Sequence, residues 1–547
     1  MTQISGGEAV IRALKAEGVD VVFGIPGVHA LSIYDALYHH PEIRHIAVRH
    51  EQAAAYMADG YARVTGKPGV CITTTGPGAA NTVAAMGTAY ADSIPILNVM
   101  TQIESDLVDK GKGSLHEAKD QLGTFRSCTR WNTRVDTSEE VPAAIHDAFR
   151  QMIHGHPGPT AVEICADILE KRADVELFKF EAVAHPRKRE TELKVRQAVE
   201  ALFKARSPVL WVGSGAAMSN ASDEVRRLAE LLKAPVLTSM RGKGVIPEDH
   251  PLYIGPRATE PLVKNLLAEA DVMLAVGTCF GYGSTANWQV KMPEQLIQID
   301  LDEKGIGKNY PAALGLVGDA KAVLGQVIEG LGDLKADRPA VEATVAEVMK
   351  KSSEWASKQN PVMAGLMRDL RGVLPRDAVV VCDATKAANF VGRGFPVYEP
   401  RSYHFPIGYA TLGFAFPVAL GAKIGVPDRK VVAICGDGGF QFCLQELATA
   451  VQFEIDITVL IFNDQRWGVL RDLQDLHYGG RRYVVDLVNP DFVKLAEAYG
   501  ANGLRVNDLS EFGSVVGQAL SSGKITVVDI PMEVQSHPRV PSRQWSS

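Results

Sequence analysis

Short, almost wholly apolar runs recur along this chain, and most of them are followed by a turn or by a segment with helical periodicity. Runs of this kind are typical of strands that helices cover on both faces, as in parallel sheets. At 547 residues the chain is too long for a single hydrophobic core. The sequence therefore predicts an α/β protein with three doubly wound parallel-sheet domains.

Two polar stretches divide the apolar runs into three groups. One stretch, at 174–192, is charged and poor in strands, and the other, at 332–360, is polar and helical. We therefore expect domains at 1–175, 190–335 and 360–540. The predicted strands, in chain order, are DVVFGIPG, IRHIAVRHE, GVCITTTGPG, IPILNVMTQ and TAVEICAD, then PVLWVGSG, APVLTSM, ADVMLAVGTCFG and QLIQIDLDE, then AVVVCDAT, KVVAICGDGG, DITVLIFND and ITVVDIPM.

Charge and cysteine content narrow the classes of function. The formal net charge is -7 and no long basic run occurs, so nothing favours binding to nucleic acid or to an anionic membrane. The N-terminal residues lack the pattern of a signal peptide, and no apolar stretch reaches membrane-spanning length. The 7 cysteines are scattered without CxxC spacing, as is typical of reduced, buried thiols. We expect a cytoplasmic protein that acts on a small molecule.

The apolar run KVVAICGDGG ends in a carboxylate held between glycines. Gly436, Gly438 and Gly439 let backbone N–H groups approach an anion, and a helix after Gly439 would point its positive end at the same place. This arrangement suits a phosphate. Because Asp437 would repel a phosphate, the motif indicates that a divalent cation, Mg²⁺ or Ca²⁺, lies between the two.

The next predicted strand, DITVLIFND, is followed by a second carboxylate, Asp464. Adjacent parallel strand ends lie about 5 Å apart, so Asp464 can reach a metal held by Asp437. Taken alone, GDGG is equally compatible with a tight turn in which the aspartate caps a helix. Ligands of open α/β sheets gather beyond the carboxyl ends of strands, so Pro26, Gly27 and Gly76 are further candidate contacts.

These motifs carry a family resemblance. GDGGF followed by a helix, a strand and ND, with 27 positions from one carboxylate to the other, resembles the diphosphate and metal motif of thiamine-diphosphate enzymes. The chain is most similar to the acetolactate synthase and 2-oxoacid decarboxylase group, and within it to acetolactate synthase large subunits. Further matching segments are FGIPG, RHEQAAAYMADGYARVTGKPGV, TTGPGAAN, ATLGFAFPVALGAK and NPDFVKLAEAYGANGLRV.

The resemblance implies a pyrimidine-binding, a central and a diphosphate-binding domain, in that order. Thiamine diphosphate and Mg²⁺ are the implied cofactors. The metal ligands would be the side chains of Asp437 and Asp464 and the backbone carbonyl of Arg466, and the diphosphate would lie against Gly438 and Gly439. The family more often has Asn at the position of Asp464.

Glu51, in VRHEQAAAY, is by itself an ordinary acidic residue at a helix start. The resemblance implies that it holds the proton at N1′ of the cofactor's aminopyrimidine and so helps to form the ylid nucleophile. Leu412 would bend the cofactor, and the carbonyl of Ala410 would accept from its 4′-amino group. In the family this glutamate serves the cofactor of the neighbouring subunit, which implies a homodimer as the smallest active unit and a homotetramer as the expected assembly.

Departures from the family bear on the reaction. Dedicated pyruvate decarboxylases have acids where this chain has Val28 and Leu470, which argues against simple release of acetaldehyde. His116, in GSLHEAKDQ, stands where acetolactate synthases usually have Gln, and His29 follows the FGIPG turn. With an ordinary pKa near about 6.5 either histidine could relay a proton, although a lone histidine is as often a surface or core residue. LHEAKDQ also resembles a segment of decarboxylases of long 2-oxo acids.

Three further positions are altered. Leu473 replaces the Trp that selects the second 2-oxo acid in acetolactate synthases. Lys386 replaces a Gln at the active-site edge, where an ammonium would meet a substrate carboxylate or the cofactor's diphosphate, or would simply be solvated. Cys279 replaces the Arg that holds FAD in the central domain, which argues against FAD.

The sequence therefore predicts decarboxylation of a 2-oxo acid with thiamine diphosphate and Mg²⁺, followed by ligation to a second carbonyl compound. The main alternative is a decarboxylase without ligation that releases an aldehyde, for which a long 2-oxo acid is one substrate class. A redox enzyme that uses FAD is a third hypothesis, and a catalytically silent subunit that only binds the cofactor is a fourth. Glu51, Asp437 and Leu412 speak against the silent subunit. The sequence does not name the 2-oxo acid.

Overall fold

The computed structural model of the protein describes residues 2–176, 187–333 and 341–535. Most of the predicted linker at 174–192, part of the stretch at 332–360 and the end of the domain predicted at 360–540 therefore lie outside the described residues. The described chain contains three six-stranded sheets in which all neighbouring strands are parallel, and helices flank each sheet. The predicted α/β class with three doubly wound sheets is confirmed.

The N-terminal sheet and a two-stranded antiparallel ribbon form the first part of the fold. The strands are β1 (Thr2–Ser5), β2 (Val21–Gly24), β3 (Arg44–Ala47), β4 (Gly69–Thr73), β5 (Ile96–Gln102), β6 (Trp131–Val135), β7 (Thr160–Cys165) and β8 (Arg172–Val175). The helices are α1 (Gly6–Ala16), α2 (Leu31–Tyr38), α3 (Glu51–Thr65), α4 (Pro77–Asn81), α5 (Val83–Asp92), α6 (Gln121–Phe125), α7 (Val141–Ile153) and α8 (Ala166–Glu170). The sheet order is β3-β2-β4-β5-β7-β6, and β1 pairs with β8.

The central sheet has the order β11-β10-β9-β12-β13-β14. Its strands are β9 (Pro208–Val212), β10 (Val236–Thr238), β11 (Tyr253–Gly255), β12 (Val272–Val276), β13 (Gln295–Asp300) and β14 (Leu314–Val317). Its helices are α9 (Glu192–Lys204), α10 (Ser214–Met218), α11 (Ser222–Leu232), α12 (Pro261–Glu269), α13 (Tyr282–Thr285) and α14 (Ala320–Leu331). The exposed Cys279 lies just beyond β12, whereas the other six cysteines are buried, and all seven are free thiols.

The long helix α15 (Glu342–Gln359) leads into the C-terminal sheet, whose order is β16-β15-β17-β18-β20-β19. The strands are β15 (Val379–Cys382), β16 (Tyr403–His404), β17 (Val431–Gly436), β18 (Thr458–Asn463), β19 (Asn502–Arg505) and β20 (Thr526–Pro531). The helices are α16 (Pro361–Val373), α17 (Lys386–Gly394), α18 (Ala415–Gly425), α19 (Asp437–Phe440), α20 (Glu446–Gln452), α21 (Gly468–His477), α22 (Phe492–Ala498) and α23 (Phe512–Ser521).

Strand order distinguishes the sheets. Numbered along the chain within each sheet, the N-terminal and C-terminal sheets both have the order 2-1-3-4-6-5, whereas the central sheet has 3-2-1-4-5-6. In open doubly wound sheets ligands bind where the order reverses beside the first strand, beyond the carboxyl ends. That place lies between β2 and β4 in the N-terminal sheet and between β15 and β17 in the C-terminal sheet.

The two outer sheets share one hydrophobic core because α3 packs directly on α18. A Cβ placed on Gly60 would lie 2.1 Å from the carbonyl oxygen of Val418, and one on Gly421 would lie 2.0 Å from that of Met57. The two helices therefore approach at backbone distance, each through a glycine. This close packing fixes the position of the N-terminal sheet relative to the C-terminal sheet.

A buried cluster of charged side chains links the central sheet to the two outer sheets. The Arg63 guanidinium lies 2.9 Å from a carboxylate oxygen of Asp92 and also pairs with Asp59, and its carbon lies 5.0 Å from the centre of the Phe414 ring. Arg241 of the central part lies 3.5 Å from Asp92. Since removing one partner would leave a buried charge unpaired, this cluster holds all three parts of the chain together. None of the described helices is long and apolar enough to cross a membrane.

Candidate functional site

The C-terminal sheet presents the GDGG motif at its point of order reversal. β17 ends at Gly436, and the next residue, Asp437, is already the first of the short helix α19. The helix predicted after Gly439 is present as α20, which begins at Glu446, but the short helix α19 already begins at Asp437. The carboxylate of Asp437 accepts one of the free backbone N–H groups at this helix start. The backbone N–H of Gly438 donates to that carboxylate at 2.9 Å.

Asp437 is 2% exposed, and two groups donate hydrogen bonds to its carboxylate, the backbone N–H of Gly438 and, at 2.7 Å, the Nδ2 amide of Asn489. The nearby backbone N–H groups of Gln465 and Arg466 also act to lower the pKa of this carboxyl. Burial nevertheless raises the pKa of Asp437. The backbone of Arg466, the predicted third metal ligand, thus adjoins this carboxylate.

Asp464 follows β18, the neighbour of β17, where Gly436 is paired with Phe462. Burial raises the pKa of Asp464 to about 6, and the negative charge of Asp437 contributes to the rise. The two predicted carboxylates are therefore brought together and repel one another. A divalent cation between them would relieve that repulsion, so this oxygen donor set fits Mg²⁺. No cluster of three or more His, Cys, Asp or Glu side chains arranged for a metal occurs in the described residues, so remaining ligands must come from other groups.

The glycines of the motif lie against large side chains. A Cβ on Gly438 would lie 2.4 Å from the Trp467 ring, and a Cβ on Gly439 would lie 2.7 Å from a carboxylate oxygen of Asp383. A Cβ on Gly436 would lie 3.0 Å from the Thr385 hydroxyl. Side chains other than hydrogen are therefore excluded at these three positions, so a diphosphate here would be contacted by their backbone.

Asp383 connects the motif to the loop that contains Ala410 and Leu412. Its Oδ2 accepts the backbone N–H of Gly413 at 3.1 Å, and burial raises its pKa to about 6. Ala410 has a left-handed backbone, with φ of 55°, and its N–H donates to the carbonyl of Pro406 at 2.8 Å. A fixed loop of this kind can hold the half-buried Leu412 and the Ala410 carbonyl in defined places beside the glycines.

Lys386 is the first residue of α17 and is 6% exposed. Its ammonium lies 2.8 Å from a carboxylate oxygen of Asp472 on α21. A Cβ on Gly468 would lie 3.0 Å from Cε of Lys386 and 2.9 Å from Oδ2 of Asp464, so these two side chains meet over that glycine. The lysine is thus paired within the protein rather than solvated. Its charge also counters the pKa rise of Asp464.

The N-terminal sheet carries the second group of predicted residues. Glu51 begins α3, and the Nδ2 amide of Asn81 donates to its Oε2 at 2.9 Å. A Cβ on Gly78 would lie 3.4 Å from the other carboxylate oxygen, Oε1. The helix start and the amide fix the direction of this carboxylate, as a proton carrier requires.

The glycine-bearing turns after β2 and β4 lie next to Glu51. A Cβ on Gly27, which follows Pro26, would lie 2.5 Å from Cβ of Thr74. Gly76 has φ of 65°, its N–H donates to Gln121 at 2.7 Å, and a Cβ on it would lie 2.5 Å from the carbonyl oxygen of His116. Protein atoms fill the space where side chains of Gly27 and Gly76 would lie, so a ligand at these turns would be contacted by their backbone.

The two predicted catalytic histidines form a pair. The rings of His29 and His116 have centres 5.5 Å apart. Within the described chain their Nδ1 atoms are buried and lack a hydrogen-bond partner. Burial lowers the pKa of His29, and the neighbouring His116 lowers it further. His116 also has a left-handed backbone, with φ of 65°, which is uncommon for a residue other than glycine.

Three residues of these sites escaped sequence reasoning: Asn489, Asp383 and Glu446. Asn489 lies in the segment NPDFVKLAEAYG, whose resemblance was noticed without a role for its first residue. Asp383 follows an apolar run in AVVVCDAT, the same pattern that had revealed Asp437. Glu446 had no such signal, because its partners are Arg49 and His50, almost four hundred positions earlier in the chain.

Comparison with known proteins agrees with this geometry. Three family models match the chain in order: the thiamine pyrophosphate enzyme N-terminal TPP-binding domain at residues 4–124, the central domain at 195–327, and the C-terminal TPP-binding domain at 383–530.

Similar proteins cover almost the whole chain. A probable acetolactate synthase large subunit of Methanocaldococcus jannaschii is 36% identical, over 98% of this chain and 94% of its own length. The acetolactate synthase isozyme 3 large subunit of Escherichia coli is 33% identical, over 98% and 96%. A probable 2-ketoarginine decarboxylase of Pseudomonas aeruginosa is 36% identical, over 96% and 94%.

Proposed function

This chain belongs to the thiamine pyrophosphate enzyme family, and we propose that it is a Mg²⁺-dependent enzyme that decarboxylates a 2-oxo acid and ligates the remaining carbon unit to a second carbonyl compound. The observation that carries the proposal is the pair of carboxylates at neighbouring strand ends, the buried Asp437 and the half-buried Asp464, beside the close-packed glycines of the turn. Two carboxylates this close in a partly buried place repel one another unless a cation binds between them.

When bound, thiamine diphosphate would supply a nucleophilic carbon and an electron sink for the decarboxylation. The residues of this chain bind and orient it. Asp437, Asp464 and the carbonyl of Arg466 hold Mg²⁺, and the glycines Gly436, Gly438 and Gly439 hold the diphosphate through the backbone. Leu412 and the Ala410 carbonyl fix the ring positions, with further backbone contacts from Pro26, Gly27 and Gly76.

Glu51 holds the proton at the pyrimidine N1′ nitrogen. Its fixed direction, set by the helix start and by Asn81 at 2.9 Å, gives the proton a defined position. Lys386 neutralises the extra charge that Asp464 brings to the metal site, which extends its predicted role of meeting the diphosphate. In a homodimer, or a homotetramer built from dimers, the glutamate of one subunit would face the metal site of the next.

Similarity to acetolactate synthases along the whole chain, together with Val28 and Leu470 in place of acids, supports ligation as the fate of the carbon unit. With Cys279 exposed beyond β12 where an FAD-binding arginine is expected, we propose that the enzyme works without FAD. We also retain the cytoplasm as its expected compartment.

A second candidate is a decarboxylase that releases an aldehyde. The presence of His29 and His116 side by side, with ring centres 5.5 Å apart, favours it because a histidine at this place could deliver a proton to the carbon unit before a second substrate arrives. The 36% identity to a probable 2-ketoarginine decarboxylase points to a long 2-oxo acid as its substrate.

The test is product analysis. The purified protein is incubated with thiamine diphosphate, Mg²⁺ and a panel of 2-oxo acids, and CO₂ and the organic products are measured. We expect CO₂ release that requires both cofactors and, with pyruvate alone, more acetolactate than acetaldehyde. Aldehyde as almost the sole product of every acid would favour the second candidate, and absence of CO₂ release from all of them would refute both. A yellow colour of the purified protein, as bound flavin gives, would refute the proposal that the enzyme works without FAD.

A further inference from the structure

Glu446 is a buried carboxylate outside the metal site and without a role in the proposed chemistry. It is 0% exposed and is the first residue of α20. Its two oxygens both lie 3.1 Å from the backbone nitrogen of Arg49, and the Thr449 hydroxyl donates to Oε2 at 2.7 Å. The nearby backbone N–H of His50 also acts to lower the pKa of this carboxyl.

The partners of this carboxylate are unusual for a buried acid. The Arg49 guanidinium contacts Gln452 at 2.5 Å and the carbonyl of Ala47 at 3.3 Å instead of forming a close ion pair with Glu446. Burial raises the pKa of Glu446 to about 7. An acid that merely filled space here would be costly, whereas one that accepts the backbone N–H of Arg49 and lies beside that of His50 has a defined task.

Those N–H groups belong to the turn that aims Glu51. β3 ends at Ala47 and α3 begins at Glu51, so Arg49 and His50 are the two residues directly before the proposed proton carrier. The direction of a helix start is set by the turn that precedes it. A carboxylate that anchors this turn from the C-terminal sheet therefore sets the position of the Glu51 side chain.

We propose that Glu446 is a positioning residue for Glu51, and that it connects the Glu51 of a chain to the GDGG turn of the same chain. Glu446 follows Asp437 by only nine positions, through α19 and a short loop. This inference rests on the proposed function, in which each active site combines Glu51 of one subunit with Asp437 of its partner. Glu446 is thus close in sequence to Asp437, which serves the cofactor of its own subunit, but it positions Glu51, which serves the cofactor of the partner subunit.

The first measurement is backbone amide exchange with deuterium in the free protein. Glu446→Gln has similar size but loses one of its two acceptors, so a peptide that covers residues 48–52 should exchange at least about 5-fold faster, since fewer bonds hold its N–H groups. Gln452→Ala is the matched control: it removes the other contact between α20 and Arg49 but no backbone bond, and should leave this exchange unchanged. Equal acceleration in both variants would reduce Glu446 to general packing and overturn the proposal.

The second measurement is proton exchange at C2 of bound thiamine diphosphate, followed by NMR. Glu446→Gln should slow it by about 10-fold to 10²-fold, the usual cost of a misplaced reacting group, with cofactor affinity within about 3-fold of wild type. A loss of affinity with normal exchange would mean that Glu446 serves the diphosphate site, and would overturn the proposal.

Hybrid dimers then decide which active site Glu446 serves. In the first hybrid one subunit carries both Glu51→Gln and Glu446→Gln, and the other is unchanged; because both changes damage the same active site, about half of the C2 exchange should remain. In the second hybrid the two changes are in different subunits, both sites are damaged, and less than about a tenth should remain.

If Glu446 instead acts on the cofactor of its own subunit, the first hybrid should keep less than about a tenth of the C2 exchange and the second about half. That outcome would overturn the proposal. Equal results in the two hybrids would also overturn it. Should Glu51→Gln alone leave C2 exchange unchanged, the proposed function fails instead, and this is distinguishable because amide exchange over residues 48–52 does not depend on the chemistry.

Discussion

The N-terminal and C-terminal sheets have the same strand order, 2-1-3-4-6-5, yet they place opposite chemistry at the same position. In the N-terminal sheet the third strand, β4, leads into hydroxyl side chains: the Thr75 hydroxyl lies 3.0 Å from the side-chain oxygen of Gln102 and 2.9 Å from that of Gln121. In the C-terminal sheet the third strand, β17, leads into the buried carboxylate of Asp437.

The shared strand order therefore sets where in each sheet a site lies, whereas the residues at the strand ends determine which chemistry the site can perform. The turn after β4 in the N-terminal sheet is uncharged. Glu51 lies beside this turn, bonded to Asn81, where it can hold a proton. The C-terminal sheet gathers the carboxylates of Asp437 and Asp464 beside Lys386, whose ammonium is paired with Asp472, so a cation is needed to balance the remaining negative charge. We expect substitutions at the Glu51 site of the N-terminal sheet to impair proton transfer, and substitutions at the carboxylate site of the C-terminal sheet to impair retention of the cofactor.

The largest expected effect is on the proton-handling side. Glu51→Gln keeps the size of the side chain and its bond to Asn81 but cannot give up and take back the N1′ proton. C2 proton exchange, followed by NMR, should fall by about 10² to 10⁴-fold, the usual contribution of a positioned acid or base. Cofactor affinity should change much less. An exchange rate equal to that of the wild type would remove Glu51 from the mechanism.

The reciprocal change is Asp437→Ala. It removes the buried carboxylate that Gly438 and Asn489 hold in place, so Mg²⁺-dependent retention of thiamine diphosphate should weaken by at least about 10²-fold, more than is usual for groups in the outer shell of a metal site. The Trp467 ring lies against Gly438 and can report binding by its fluorescence. Unchanged circular dichroism would show that the fold is intact. Normal retention in the variant would mean that the metal binds elsewhere.

Sequence reasoning found the interior of each sheet and missed most of the edges. All predicted strands exist, whereas the missed strands form the two-stranded ribbon or lie at sheet edges: β1, β6, β8, β11, β14, β16 and β19. A central strand is covered on both faces and reads as a continuous apolar run, but an edge strand such as Trp131–Val135 is only half-buried and mixes polar with apolar residues. β16 is also too short to be noticed, with two residues.

The site divides in the same way. Residues at the ends of interior strands, such as Asp437 and Asp464, are visible because the strand itself is visible. The pairing of His29 with His116 and the contact of Glu446 with Arg49 depend on how separate elements pack, and no local pattern encodes them. Lys386 was recognised as altered, but its partner Asp472 could be identified only from the fold.

A smaller effect is expected from His116→Gln, which changes the N-terminal side without touching Glu51. It removes one imidazole of the buried pair and restores the residue usual in acetolactate synthases. With pyruvate as substrate the ratio of acetolactate to acetaldehyde should rise about 3-fold to 10-fold, less than the about 10² to 10⁴-fold that a fully positioned proton donor contributes, because His29 remains in place. Product analysis by gas chromatography measures it. If wild type gives almost only aldehyde and the ratio does not move, ligation must be given up.

The smallest effect belongs to Asp464→Asn, which leaves an oxygen ligand and removes only the second negative charge of the metal site. At pH 8 cofactor affinity should stay within about 3-fold of wild type, because charge removal and the relief of repulsion on Asp437 offset one another. Below pH 6 the proteins should differ. The pKa of Asp464 is raised to about 6, so in the wild type protons compete with Mg²⁺ as the pH falls below that value, and affinity should drop. The variant lacks this titrating group, and its affinity should fall less between pH 6 and pH 5, measured by Trp467 fluorescence. Loss of the cofactor at every pH would show that Asp464 is needed as a charge, whereas parallel curves for both proteins would show that it does not contact the metal.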